Sequence, residues 1–330
     1  MTKLPKTVDG PIQWVTVGVG GLIAKSSDGN NWSPAGDKGG IATLVHSVAY
    51  GKDEVGGNLW VAVGGGSVIV KSTDGNLWSP AGSLGGIAGP GYGVAYGKDG
   101  VGGNLWVAVG GGSIIAKSSD GNNWTTAGSK GGITLGRSVA YGKDGSGQGL
   151  WVVVGQGTVI AKSSDGNTWT VAASFGGIGT RGRGIAYGKD GAGQGLWIAL
   201  GDGGLIAKSS DGNNWTSTGD KGGIATSGWG AAYGKDSAGQ GLWVAVGNGG
   251  LIAKSSDGNT WSQAGNVGGI SNAGYGVAYG KDGAGQGLWV AVGEGGLIAK
   301  SSDGNIWTPA ASKGGISTRG WGVGFKNEIV

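Results

Sequence analysis

The chain has no cysteine among its 330 residues, and one histidine. Without thiols it has no disulfide framework, no thiolate nucleophile and no zinc–thiolate centre. The lone imidazole, His46, has no partner for a metal site or a catalytic triad. Long apolar runs are missing too, and nothing approaches the ~20 residues that a membrane-spanning helix needs. Residues Met1 to Lys6 contain no apolar h-region, so no secretory leader is visible. The expectation is a soluble protein, cytoplasmic by default. Charge of one sign is equally scarce. The net charge of +4 arises from lysines and aspartates that recur almost evenly, plus Arg137, Arg181, Arg183 and Arg319. That is too sparse for a nucleic-acid binder. No nucleic-acid partner, membrane insertion, cofactor or metal is expected.

Glycine, in contrast, is abundant at 83 residues. Without a period such a composition would indicate low complexity. A period is present, and it changes the reading. Trp14, Trp60, Trp106, Trp151, Trp197, Trp243 and Trp289 recur every 46 residues, with one step of 45. A second series, Trp32, Trp78, Trp124, Trp169, Trp215, Trp261 and Trp307, follows eighteen residues behind. Both series are invariant and read as packing. In one copy, four short segments are separated by turn signals: Gly230–Tyr233, Leu242–Val246, Leu251–Ser255 and Trp261 onward. Each is too short for a helix and rich in strand formers. The second and third are almost continuously apolar, as in a sheet buried on both faces. The sequence predicts an all-β, seven-bladed β-propeller with four-stranded blades of about 46 residues. Residues 11–330 form its single domain, after a tail over residues 1–10. A monomer is expected.

Ser-Asp-Gly-Asn, once Thr-Asp-Gly-Asn, separates the third and fourth segments. Asp-Gly between strands is a strong hairpin signal, because such turns need positive φ. With the tryptophan that follows, these turns resemble the Asp-box repeat of sialidases and of the photosystem II assembly factor family. The aspartates are Asp28, Asp74, Asp120, Asp165, Asp211, Asp257 and Asp303. Glycine follows the aspartate directly, one residue earlier than in the family pattern. The resemblance implies a structural turn between strands three and four, remote from any binding site. The chain would then begin on the second strand of a blade. The segment from Trp321 would return as that blade's innermost strand, closing the ring and removing open sheet edges.

Where the seven copies agree, the fold needs the residue; where they differ, the residue is free for another use. The most variable position lies just before the innermost strand and reads Trp321, His46, Tyr92, Arg137, Arg183, Trp229, Tyr275 around the ring. A second lies between strands two and three and reads Val19, Gly65, Gly111, Gln156, Asp202, Asn248, Glu294. Both are expected on the face opposite the Asp-Gly turns, with polar diversity concentrated in blades four to seven. Exposed loops also vary by drift, but drift rarely enriches for aromatic residues and arginine at one position. Aromatic faces beside charged and amide groups suit a glycan or a protein ligand. The expectation is a non-catalytic, lectin-like recognition propeller binding a glycan at this mouth; the alternative is a protein-interaction or assembly scaffold, as the assembly-factor resemblance implies.

The sialidase resemblance would imply an arginine triad, a tyrosine–glutamate nucleophile pair and an acidic proton donor. Arg137, Arg183 and Arg319 lie on three blades, Tyr275 and Glu294 share one, and Asp202 lies on another. The Phe/Tyr-Arg-Ile-Pro segment of sialidases is absent, however, and their blade number is six. No catalytic residues are assigned. The Lys-Asp steps after each innermost strand, such as Lys189-Asp190, read as solvated charges.

Overall fold

A computed structural model describes residues 11–157 and 159–326; the expected tail over residues 1–10, and residues 327–330, lie outside them. Among the described residues every regular element is a strand. The chain enters on β1 (Trp14–Gly18), β2 (Ile23–Ser26) and β3 (Ser33–Pro34), and then repeats a four-strand unit six times. The units open on β4 (Val45–Lys52), β8 (Gly91–Lys98), β12 (Leu135–Lys143), β16 (Gly182–Lys189), β20 (Gly228–Lys235) and β24 (Gly274–Lys281). The last strand, β28 (Gly320–Phe325), pairs with β1 and completes the first sheet in the order β28-β1-β2-β3. The result is a seven-bladed β-propeller closed by its C-terminal strand.

The second strand of each blade is buried on both faces, because each blade is covered by two neighbours. Each of the seven apolar clusters therefore bridges two blades. One joins Leu59, Val61 and Val63 to Val94, Trp106 and Ala108 of the next blade. Another joins Leu288 and Val290 to Trp14 and Trp32, across the point of closure. The first tryptophan series is essentially inaccessible, and burying each ring removes enough apolar area to contribute roughly 4–6 kcal/mol as an upper estimate. The indole N–H groups also tie blades together: Trp106 donates to Lys52 O at 2.9 Å and Trp197 to Lys143 O at 2.8 Å.

The fourth strands are shorter than the sequence suggests. Each has two residues, and the second-series tryptophan lies just before it. Its indole instead caps the preceding turn, as where Trp32 donates to Gly29 O at 3.0 Å. In that turn Gly29 has a φ of 70°, and Asp28 accepts the N–H groups of Asn30 and Asn31, both at 2.8 Å. The turn asparagine reaches sideways, so that Gly36 N–H donates to Asn76 Oδ1 of the next blade at 3.0 Å. The same contact from Ala311 to Asn30 spans the closure.

Candidate functional site

The most variable residue of each copy lies inside the innermost strand, not before it as the sequence suggested. Strand pairing slips at that residue in all seven blades. Val45 faces Gly64 and Ser47 faces Val63, which leaves His46 without a partner. Tyr92, Arg137, Arg183, Trp229 and Tyr275 are skipped in the same way, as is Trp321 between Gly320 and Gly322. A bulge re-aims the extra side chain. Here seven bulges deliver seven side chains to one mouth of the axial channel. Adjacent innermost strands approach closely there, and a glycine after most bulges leaves room. A Cβ on Gly184 would lie 2.5 Å from the Trp229 carbonyl oxygen.

These side chains form a collar over a cavity of about 340 Å³. His46 lies 4.9 Å from Tyr92, and the Arg137 guanidinium lies 4.6 Å over the Tyr92 ring. On the other side, Arg183 covers Trp229 at 3.8 Å, Trp229 meets Tyr275 at 5.2 Å, and Tyr275 meets Trp321 at 4.4 Å. Trp321 returns to His46 at 5.8 Å. The chain of aromatic and cation–π contacts is continuous except between Arg137 and Arg183, where two like charges adjoin. Beneath the collar the wall is apolar, with Val48, Val94, Val139, Ile185 and Val277.

The second variable series stands outside the collar and pairs with it within blades five to seven. Arg183 donates to Asp202, Trp229 Nε1 donates to Asn248 Oδ1 at 2.7 Å, and the Tyr275 hydroxyl donates to Glu294 at 3.5 Å. Gln156 makes no such bond with Arg137; it is exposed, and its carbonyl accepts from Thr134. Val19, Gly65 and Gly111 offer no polar side chain, as expected.

Two further residues belong to this network. Arg181 lies 3.9 Å from Asp202, and Arg319 bonds Glu294 at 3.1 Å. Both occupy a third variable column, two residues before the collar residue: Leu44, Pro90, Leu135, Arg181, Ser227, Ala273, Arg319. Arg319 entered the sequence reading only as part of a sialidase-like arginine set; comparing the copies at that column would have placed both in the network. Ser227, of the same column, donates to Asp202 at 3.1 Å.

The electrostatics favour fixed charge over proton transfer. Burial pushes the Asp202 carboxyl up, but the Arg183 bond and charge, Ser227 and Arg181 more than offset it and hold it below its ordinary value. Such a group stays ionised and is a poor proton donor. Burial drives the His46 imidazole down; Gly91 O, 3.0 Å from Nδ1, opposes this, and Arg137 adds to it. Burial raises the Tyr275 hydroxyl, with Arg319 opposing and Glu294 adding. Among the described residues no group of His, Asp or Glu side chains could hold a metal ion.

No family model matches the chain, and no curated protein matches it either. Solved structures match its fold. A structure of YCF48 bound to a D1 peptide aligns over 96% of this chain and 90% of its own, with 14% identity and a TM-score of 0.58. YCF48 from Cyanidioschyzon merolae aligns over 81% and 84%, with 14% identity and a TM-score of 0.55. The WD40 repeats of RRP9 align over 84% and 87%, with 11% identity and a TM-score of 0.54. The likeness is one of fold.

Proposed function

We propose that this protein is a non-catalytic interaction scaffold whose collar mouth receives an extended segment of a partner protein. The observation that carries this reading is the collar itself, seven bulges that bring aromatic and guanidinium groups together over an apolar-walled cavity. Trp, Tyr and Arg are the residues that most often anchor protein interfaces. The D1 peptide is seen bound to YCF48, not to this chain, and that complex supports peptide as the first ligand class to test here. We also read the Ser-Asp-Gly turns as Asp-box-like structural repeats, remote from the binding face.

A glycan is less well supported. Sugars stack on free aromatic faces, whereas Arg183 covers Trp229, Arg137 covers Tyr92, and Tyr275 and Trp321 pack against each other. The two readings separate on parallel peptide and glycan arrays. We expect peptide hits, reduced about a hundredfold or more in an Arg183→Gln/Trp229→Ala double variant. Unchanged peptide affinity in that variant, or hits confined to glycans, would refute the reading.

A further inference from the structure

The two faces of the ring differ in charge, and the difference bears on the chemistry of the partner. On the face of the Asp-Gly turns, one ring of seven lysines follows the innermost strands and a second lies in the third strands. They stand with the seven turn aspartates, six loop aspartates and Glu54, so that fourteen cations meet fourteen carboxylates. The loop aspartates are occupied locally; Asp190, for example, accepts the N–H groups of Ala192 and Gln194. The collar face holds the four arginines against Asp202 and Glu294, and the Lys221 and Lys313 ammonium groups reach loop carbonyls there at 3.3 and 3.4 Å. Asp37, in contrast, lies beside the Asp-Gly turn of the next blade, its N–H donating to Asn76 O. The collar face therefore carries a net positive charge.

That excess is unevenly neutralised. Asp37 and Asp220 are engaged by the backbone of their own turns. Asp202 and Glu294 serve Arg181, Arg183 and Arg319. Arg137 has no carboxylate within 4 Å among the described residues and stands at the break in the collar. Lys130 lies seven residues before Arg137 on the same rim connector. Lys221, on another connector, places its ammonium 3.3 Å from Gly203 O, beside Asp202. A recess of one sign over apolar walls concentrates oppositely charged ligands.

Resting on the scaffold reading, we propose that the partner segment is acidic, with one carboxylate on the Arg137 guanidinium and others reaching Lys130 and Lys221. Arginine suits this role because its planar fork is permanently charged and pairs with a carboxylate through two N–H groups.

The test uses fluorescein-labelled hexa-glutamate, hexa-glutamine and hexa-lysine, with a six-nucleotide oligothymidylate as a separate polyanion, on the full chain. Hexa-glutamate should bind at low salt and weaken as salt rises, while hexa-glutamine and hexa-lysine should not bind. Arg137→Gln should weaken it about tenfold or more, Arg137→Lys should restore part of the loss, and Lys189→Gln on the opposite face should change nothing. Circular dichroism would verify that each variant is folded. Equal loss from Lys189→Gln, or equal binding of the oligothymidylate, would overturn the proposal. If array-selected neutral peptides bind at the collar while hexa-glutamate does not, the acidic inference falls and the scaffold reading stands. If no peptide binds at all, both fall.

Discussion

Gly184 and Gly219 show how differently one residue type is constrained within the repeat. A methyl group on Gly184 would press on the carbonyl of Trp229 in the neighbouring strand, whereas one on Gly219 would meet nothing within 4 Å. Gly184→Ala should cost roughly 1–3 kcal/mol and Gly219→Ala almost nothing, as measured by denaturant unfolding; equal effects would contradict the close approach of the innermost strands. The same approach explains why serine or glycine follows every collar residue. Asp74 is constrained by hydrogen bonding, since it accepts the N–H groups of Asn76 and Leu77 and the Ser72 hydroxyl. Asp74→Ala should destabilise by about 1–3 kcal/mol, and a smaller loss in Asp74→Asn would show how much of this needs the charge. At this scale the sequence was informative, because a copy-to-copy comparison separated constant from variable positions before any contact was visible. It did not show that Arg183 would lie over Trp229, since that contact joins residues 46 apart on separate blades.

The seven Asp-Gly turns form one class of element and should titrate as one. In Asp211, burial raises the carboxyl, but the N–H groups of Asn214 and Asn213 with the side chains of Asn214 and Ser209 bring it down to about 2; the other six are lowered for the same reasons. A carboxylate lowered in the folded state stabilises it above the unfolded value of 3.8, and that contribution is lost as pH falls through the folded value. Stability should therefore be flat in this contribution at neutral pH and fall between about pH 4 and pH 2. Thermal melts across that window would check it, and a flat profile would mean that the turns do not hold their aspartates as described. The innermost strand is the element least legible in sequence. Its bulge has no signature of its own, because the skipped residue is Trp, His, Tyr or Arg depending on the copy. The variable residue therefore looked like a loop position, although it is a strand position displaced by one.

Around the whole ring, closure depends on β28. It supplies the first blade's innermost strand, sets Phe325 against Trp14 at 4.7 Å, and packs between β24 and β4. Each blade otherwise contacts only its neighbours, so losing β28 weakens both interfaces of the first blade. Removing residues 320–330 should lower the melting temperature by roughly 10 °C or more. A truncated chain that melts with the full-length protein would refute the clasp. The charge partition also belongs to this scale. No single repeat reveals it, because each is nearly neutral, and only the assignment of loops to faces separates a balanced side from a cationic one.

Period, turn chemistry and the seven-fold count were determined by the sequence alone, because each rests on interactions within a few residues or on a repeat that must bury its faces against copies of itself. The absence of thiols and histidine partners likewise narrowed the chemistry before any fold was known. Only the tertiary structure decided that the variable residues would meet in one collar, that three of the four arginines would be matched by carboxylates and Arg137 left unmatched, and that a net positive charge would lie on that face. Those outcomes depend on the angle between blades and on the bulges that turn seven separated side chains toward one axis, and neither is encoded at any single position of the chain.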